Sequence, residues 1–161
     1  MNEMKLLFKQ RFFSWLDSYD IFDEQGRVIY RVEGKLSWGH KLHILDAQGQ
    51  HIATVKEVLL TFFKPKFELH IGGRLIGTIT KELTFFKPCF VIDFNGWSVS
   101  GSFWEWDYGI RDAAGNAVAI VSKEIWNWTD TYSIEVADPA DALCALMVTL
   151  AIDAEKCSRN S

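Results

Sequence analysis

Cysteine and proline are both scarce in this chain, with three of each among 161 residues. Cys89, Cys144 and Cys157 are odd in number and lack CxxC spacing, which excludes a disulfide framework and gives no sequence-encoded zinc site. No run of 18 apolar residues occurs, so no segment reads as a membrane-spanning helix. The N-terminal stretch has neither the continuous apolar core nor the small-residue cleavage site of a secretory signal. Positive charge is not in excess. Lys and Arg total 17 against 21 Asp and Glu, a formal net charge of −4, which is the wrong sign for a general nucleic-acid binder. These absences set the expectation of a soluble, cytoplasmic protein.

Apolar residues are plentiful: 48% are hydrophobic and 14% aromatic, far from a disordered composition. The length suits one domain over residues 1–156, with 157–161 as a flexible tail. Strand–turn–strand patterns recur along it. Tyr19–Asp23 turns at Gly26 into Arg27–Val32, and His43–Asp46 turns at Gly49 into Ile52–Glu57. Glu68–Ile71 turns at Gly72-Gly73 into Ile76–Glu82, and Tyr108–Asp112 turns at Gly115 into Val118–Glu124. Each reads as a hairpin of alternating residues closed by an acidic or glycine turn. Thr131–Val136 alternates cleanly as a further strand, and Phe103–Tyr108 reads as a strand with Trp104, Trp106 and Tyr108 on one face.

One helix follows. Asp138 is placed to cap it, Pro139 fits its first position, and from Ala142 to Ile152 only Thr149 is polar. A helix apolar all round is enclosed on every side or lies in a membrane. Eleven residues rise only about 16 Å, too short for a span. The expected fold is therefore mainly β: an antiparallel barrel of about ten to twelve strands around a central, hydrophobic C-terminal helix. A closed barrel also removes the exposed sheet edges that a sandwich would leave.

These features resemble the LURP-one-related family. The resemblance is carried by Thr129–Val136, Asp141-Ala142-Leu143, the helix ending Ala151-Ile152-Asp153, the hairpins closing on Lys123-Glu124, and Tyr19-Asp20-Ile21 before Asp23 and Gly26. It implies the tubby C-terminal-like barrel over essentially the whole chain, as in small bacterial members. Plant members are linked to defence, tubby proteins bind phosphoinositides, and phospholipid scramblases are thought to share the barrel with a membrane-inserting helix. The lipid-contacting motif of tubby proteins has no match here, so no residue role transfers from it.

Two identical segments, Thr61-Phe62-Phe63-Lys64-Pro65 and Thr84-Phe85-Phe86-Lys87-Pro88, stand out. Proline cannot donate to a ladder, so each belongs at a strand end. Their aromatic rings either plug the barrel or, beside lysine, seat at a membrane interface. Lys64, Lys66, Arg74, Lys81 and Lys87 concentrate nearby, either as solvated strand faces among Glu57, Glu68 and Glu82 or as an anion or lipid site formed by Lys64, Lys66, Arg74 and Lys87 with Phe62 and Phe85. Glu105 and Asp107 are adjacent same-face carboxylates, unlike the facing pair of a glycosidase. His40, His43, His51 and His70 form no HExxH motif, and His40 and His43 point to opposite faces of a strand. No GxSxG elbow or phosphate loop occurs.

The sequence thus predicts a non-enzymatic cytoplasmic binding or scaffold domain, without cofactor or metal, peripheral to a membrane or bound to a protein partner. A small-molecule carrier or enzyme with a pocket at the barrel mouth is one alternative. A scramblase-like membrane protein is another, disfavoured by the short helix.

Overall fold

The structure, a computed structural model, describes residues 2–9, 18–59, 64–83, 88–103, 105–126 and 129–158. Twelve strands among these form one antiparallel sheet. They are β1 (Met4–Lys9), β2 (Ser18–Phe22), β3 (Val28–Gly34), β4 (Lys41–Asp46), β5 (His51–Val58) and β6 (Lys66–Ile71), then β7 (Arg74–Leu83), β8 (Pro88–Ile92), β9 (Ser98–Ser102), β10 (Asp107–Arg111), β11 (Ala117–Trp126) and β12 (Thr129–Val136). Successive strands are neighbours except where β1 pairs with β12, from Met4 opposite Val136 to Lys9 opposite Thr131. The sheet's two outer strands, β8 and β9, lie alongside each other, so it curls into a nearly closed barrel.

Alternation decides which side chains enter. Leu6, Ile21, Val32, Ile44, Leu69, Ile79, Ile110, Val121 and Ile134 are all fully buried, one from each of nine strands. Three hairpins share one turn chemistry. Asp23, Asp46 and Asp112 each accept the backbone N–H groups two and four residues on at 2.8–2.9 Å. Gly26, Gly49 and Gly115 take the positive φ that closes each turn.

The helix begins as its sequence signals. Asp138 accepts the Ala140 N–H at 2.9 Å, Pro139–Asp141 makes one 3-10 turn, and α1 (Ala142–Ser158) follows. It packs against β5 and against β11 and β12, which lie on opposite walls of the barrel. Ala145 to Ala154 are buried throughout, with Leu146, Met147 and Val148 wholly inaccessible. Burying each such side chain contributes about 1.5–3 kcal/mol.

The helix continues to Ser158. Lys156, a cation in the last turn, favours this extension by complementing the helix dipole. Cys144 is half-buried rather than enclosed. Against the strand expected there, Phe103, Glu105 and Trp106 lie in a turn between β9 and β10, and Trp104 lies outside the described residues. Trp106 takes φ 54°, so Phe103 and Trp106 both point inward, at 6% exposure each.

Candidate functional site

The barrel has two unlike ends. At one, tight turns close β2–β3, β4–β5, β6–β7, β8–β9 and β10–β11, and Asp23, Glu24, Asp46, Asp93, Asp112 and Asp138 make it acidic. Its carboxylates are largely committed to turns. The Asn116 side chain and N–H hold Asp112 below the usual carboxylate range. Asp23 is also lowered, with burial opposing the hydrogen bonds from Arg27.

The other end is built from longer connections. Residues 35–40 join β3 to β4, and there Leu36 is 88% and Trp38 91% exposed. Leu59, after β5, is also exposed, and the two connections touch: a Cβ on Gly39 would lie 2.8 Å from Leu59 Cδ2. The base beneath Trp38 is tied down. Glu57 N–H donates to the His40 carbonyl at 2.7 Å, His40 N–H donates to Glu57 Oε2 at 2.9 Å, and His40 Nδ1 lies 2.8 Å from the same oxygen. The His40 side chain, outweighing burial, holds the Glu57 carboxyl below its ordinary range. Lysines surround this end. Lys35 pairs with Glu33 at 2.6 Å, while Lys9 and Lys56 are exposed.

The residues singled out in the sequence separate. Lys64 and Lys66 stand at this loop end, Lys64 pairing with Glu82 at 3.7 Å. Arg74 does not join them. Lys66 is opposite Thr80 and Arg74 opposite Ile71, so Arg74 sits at the turn end, about 20 Å along the strands. Phe62, Phe85 and Lys87 lie outside the described residues. Lys81, grouped with the surface cations by sequence, points into the barrel. The apolar residues Leu36 and Trp38 were missed. Their only sequence signal is a Leu-Ser-Trp step set between Gly34-Lys35 and Gly39.

Inside the loop end is a charged cluster. Lys81 Nζ is 2.5 Å from Glu155 Oε1 with both side chains at most 2% exposed. Lys156 donates to the Phe103 carbonyl and lies 4.3 Å from the Trp106 ring centre. Burial pushes Asp153 up to about 7 against the pull of Lys156. The Tyr108 hydroxyl, fully buried near Thr149 and Asp153, is pushed up by desolvation as well. The cluster ties the end of α1 to β7 and to the turn at Phe103.

A cleft of about 390 Å³ lies on the outer wall, over β1 and beside the β2–β3 turn, lined by Leu7, Phe8, Phe22, Lys5, Lys9 and Glu124 among others. It opens where β1 and β2 share a single ladder pair, Leu7 opposite Phe22. Lys5 is tied within it to Glu124 and Glu135, at 3.0 and 3.2 Å. Among the described residues no helix is long and apolar enough to cross a membrane.

Comparison with known proteins agrees with this architecture. The protein-family profile described as LURP-one-related matches residues 4–153. The uncharacterized protein YxjI of Bacillus subtilis (strain 168) is 30% identical over 151 residues, which is 93% of this chain and 92% of that one. The X-ray structure of a protein from Arabidopsis thaliana superposes with a TM-score of 0.64 over 94% of this chain and 91% of that one. At 17% identity that similarity is one of fold.

Proposed function

The chain belongs to the LURP-one-related family, and on that premise we propose that it is a non-enzymatic, cytoplasmic binding domain that docks peripherally on anionic membrane through the loop end of its barrel. The observation that carries this reading is the near-complete exposure of Leu36 and Trp38 on a base fixed by His40 and Glu57. Large apolar side chains held in water by a rigid loop favour a surface that covers them. Tryptophan suits the bilayer interface, with its ring in the acyl boundary and its N–H among headgroups.

Charge supports the orientation. Lys9 and Lys56 are exposed at the loop end, where Lys35 and Lys64 stand paired with Glu33 and Glu82, while the aspartate turns face away. Each lysine near an anionic surface contributes about 1 kcal/mol, screened by salt. Lys64 and Lys66 remain part of this proposal, with Arg74 outside it.

The test is co-sedimentation with phosphatidylserine vesicles and with neutral phosphatidylcholine vesicles. Binding to the anionic vesicles alone, weakened by salt and lost in a Leu36→Ser, Trp38→Ser variant of unchanged melting temperature, supports the reading. Absence of binding at low salt removes it and points to a protein partner for the same surface. A small-ligand reading rests on the outer-wall cleft, whose volume is within the range of small-molecule sites. It is favoured if Leu7→Arg, and not the loop-end variant, displaces material co-purifying with the protein.

A further inference from the structure

The cleft on the outer wall follows from a lapse in sheet pairing. β1 pairs with β12 through all 6 of its residues, but with β2 only where Leu7 stands opposite Phe22. Leu6, Phe8 and Ile21 turn inward, so by alternation Leu7 and Phe22 share the outer face. The cleft of about 390 Å³ opens over this pair. Phe8 forms part of its floor, and that ring is held from behind by Tyr132 at 5.4 Å and Trp106 at 6.3 Å between centres. The apolar floor is thus preformed, as in small-molecule sites.

Charge along this floor is uneven. Lys5 takes both glutamates of the neighbouring strands, Glu124 at 3.0 Å and Glu135 at 3.2 Å. Lys9, two residues beyond Leu7, is exposed and makes no ion pair among the described residues. Thr131, opposite Lys9, brings a hydroxyl to the same end of the cleft. Asp23 and Glu24 stand at the other end. Asp23 is committed to the Gln25 and Arg27 N–H groups and to the Arg27 side chain, while Glu24 is exposed in the turn. One end is therefore cationic and hydrogen-bonding, the middle apolar and the far end acidic.

From this arrangement we propose that the outer cleft binds a medium-chain monocarboxylic acid, with its carboxylate on Lys9 and Thr131 and its chain over Leu7, Phe8 and Phe22. The proposal rests on the small-ligand reading of this cleft and not on membrane docking. The chain covers apolar surface that water otherwise meets. The ammonium and the hydroxyl both donate to the carboxylate, in a charge-assisted arrangement. Asp23 and Glu24 set the direction, because an acid group at their end meets like charge. A second carboxylate on the chain is rejected for the same reason. About 14 Å of strand separates Lys9 from Lys5, room for the extended chain of decanoate.

The test is calorimetric titration of the full chain, without vesicles, with decanoate, decanol and decanedioate as dissolved monomers. The expected result is one decanoate per chain, bound more tightly than either of the others. Lys9→Gln should weaken decanoate by roughly five- to tenfold, and Lys9→Arg should keep it. Arg74→Gln, which removes an equal charge at the turn end, should have no effect. Leu7→Asp, at a half-buried outer position, should abolish binding. Nuclear magnetic resonance of the wild type needs no variant: decanoate should shift the backbone signals of Leu7, Lys9, Phe22 and Thr131 and spare residues 35–40. Decanol bound as tightly as decanoate would overturn the acid class while keeping a ligand cleft. No binding of either, or shifts confined to other residues, would overturn the site itself.

Discussion

Replacing Lys81 by Met tests whether the end of the central helix is held by charge. Lys81 and Glu155 are 1% and 2% exposed and 2.5 Å apart, joining β7 to the last turns of α1. The methionine fills much of the lysine's space, so little cavity is created and the effect is electrostatic. It leaves the Glu155 carboxylate in the barrel without its ammonium partner, and breaking a buried pair in this way costs about 3–5 kcal/mol. That is a large fraction of a typical stability of about 5–15 kcal/mol. With a urea slope of about 2 kcal/mol per M, the unfolding midpoint should fall by roughly 2 M. Removing both charges, Lys81→Met with Glu155→Leu, should restore most of the loss, because desolvating two ions offsets much of their attraction. Urea unfolding of the four proteins of this cycle gives the coupling directly. A single-variant cost below about 1 kcal/mol, or a double variant as unstable as the sum of the singles, would refute the buried-pair reasoning.

Asp153→Asn should flatten the pH dependence of stability. Burial raises the folded pKa of Asp153 to about 7 from 3.8, so this group's stabilising contribution is complete below pH 3.8 and is lost as pH rises towards 7. At pH 8 the variant should be more stable than wild type by on the order of 4 kcal/mol, and equal or lower stability there contradicts the assignment. Gly77→Ala should lower the melting temperature by several degrees, because a Cβ there would meet Phe94 Cδ1 at 2.5 Å and the Asp93 carbonyl at 2.7 Å. A neutral effect would mean that the turn after β8 yields more readily than this contact implies.

Local chemistry made much of the fold legible. Asp138-Pro139 announces the helix because capping needs only adjacent residues, and the Asp-to-Gly turns announce their hairpins for the same reason. What the sequence hid depends on distant partners. Lys81 reads as a solvated strand charge because Glu155 is far along the chain on another element. Trp106 reads as a strand residue until its positive φ reverses the chain. The basic residues at Lys66 and Arg74 look clustered, but a hairpin sends them to opposite ends of the barrel. Leu36 and Trp38 carry no periodic signal at all, since a loop imposes none.

Docking through the loop end requires Trp38 to enter an anionic bilayer. Its most direct measurement is tryptophan fluorescence in vesicles of phosphatidylserine mixed with lipids brominated along the acyl chain, comparing wild type with Trp38→Phe. The expected result is quenching in wild type that is largely lost in Trp38→Phe, although that variant still sediments with the vesicles. Quenching that is absent in wild type, or equal in both proteins, would contradict the claim.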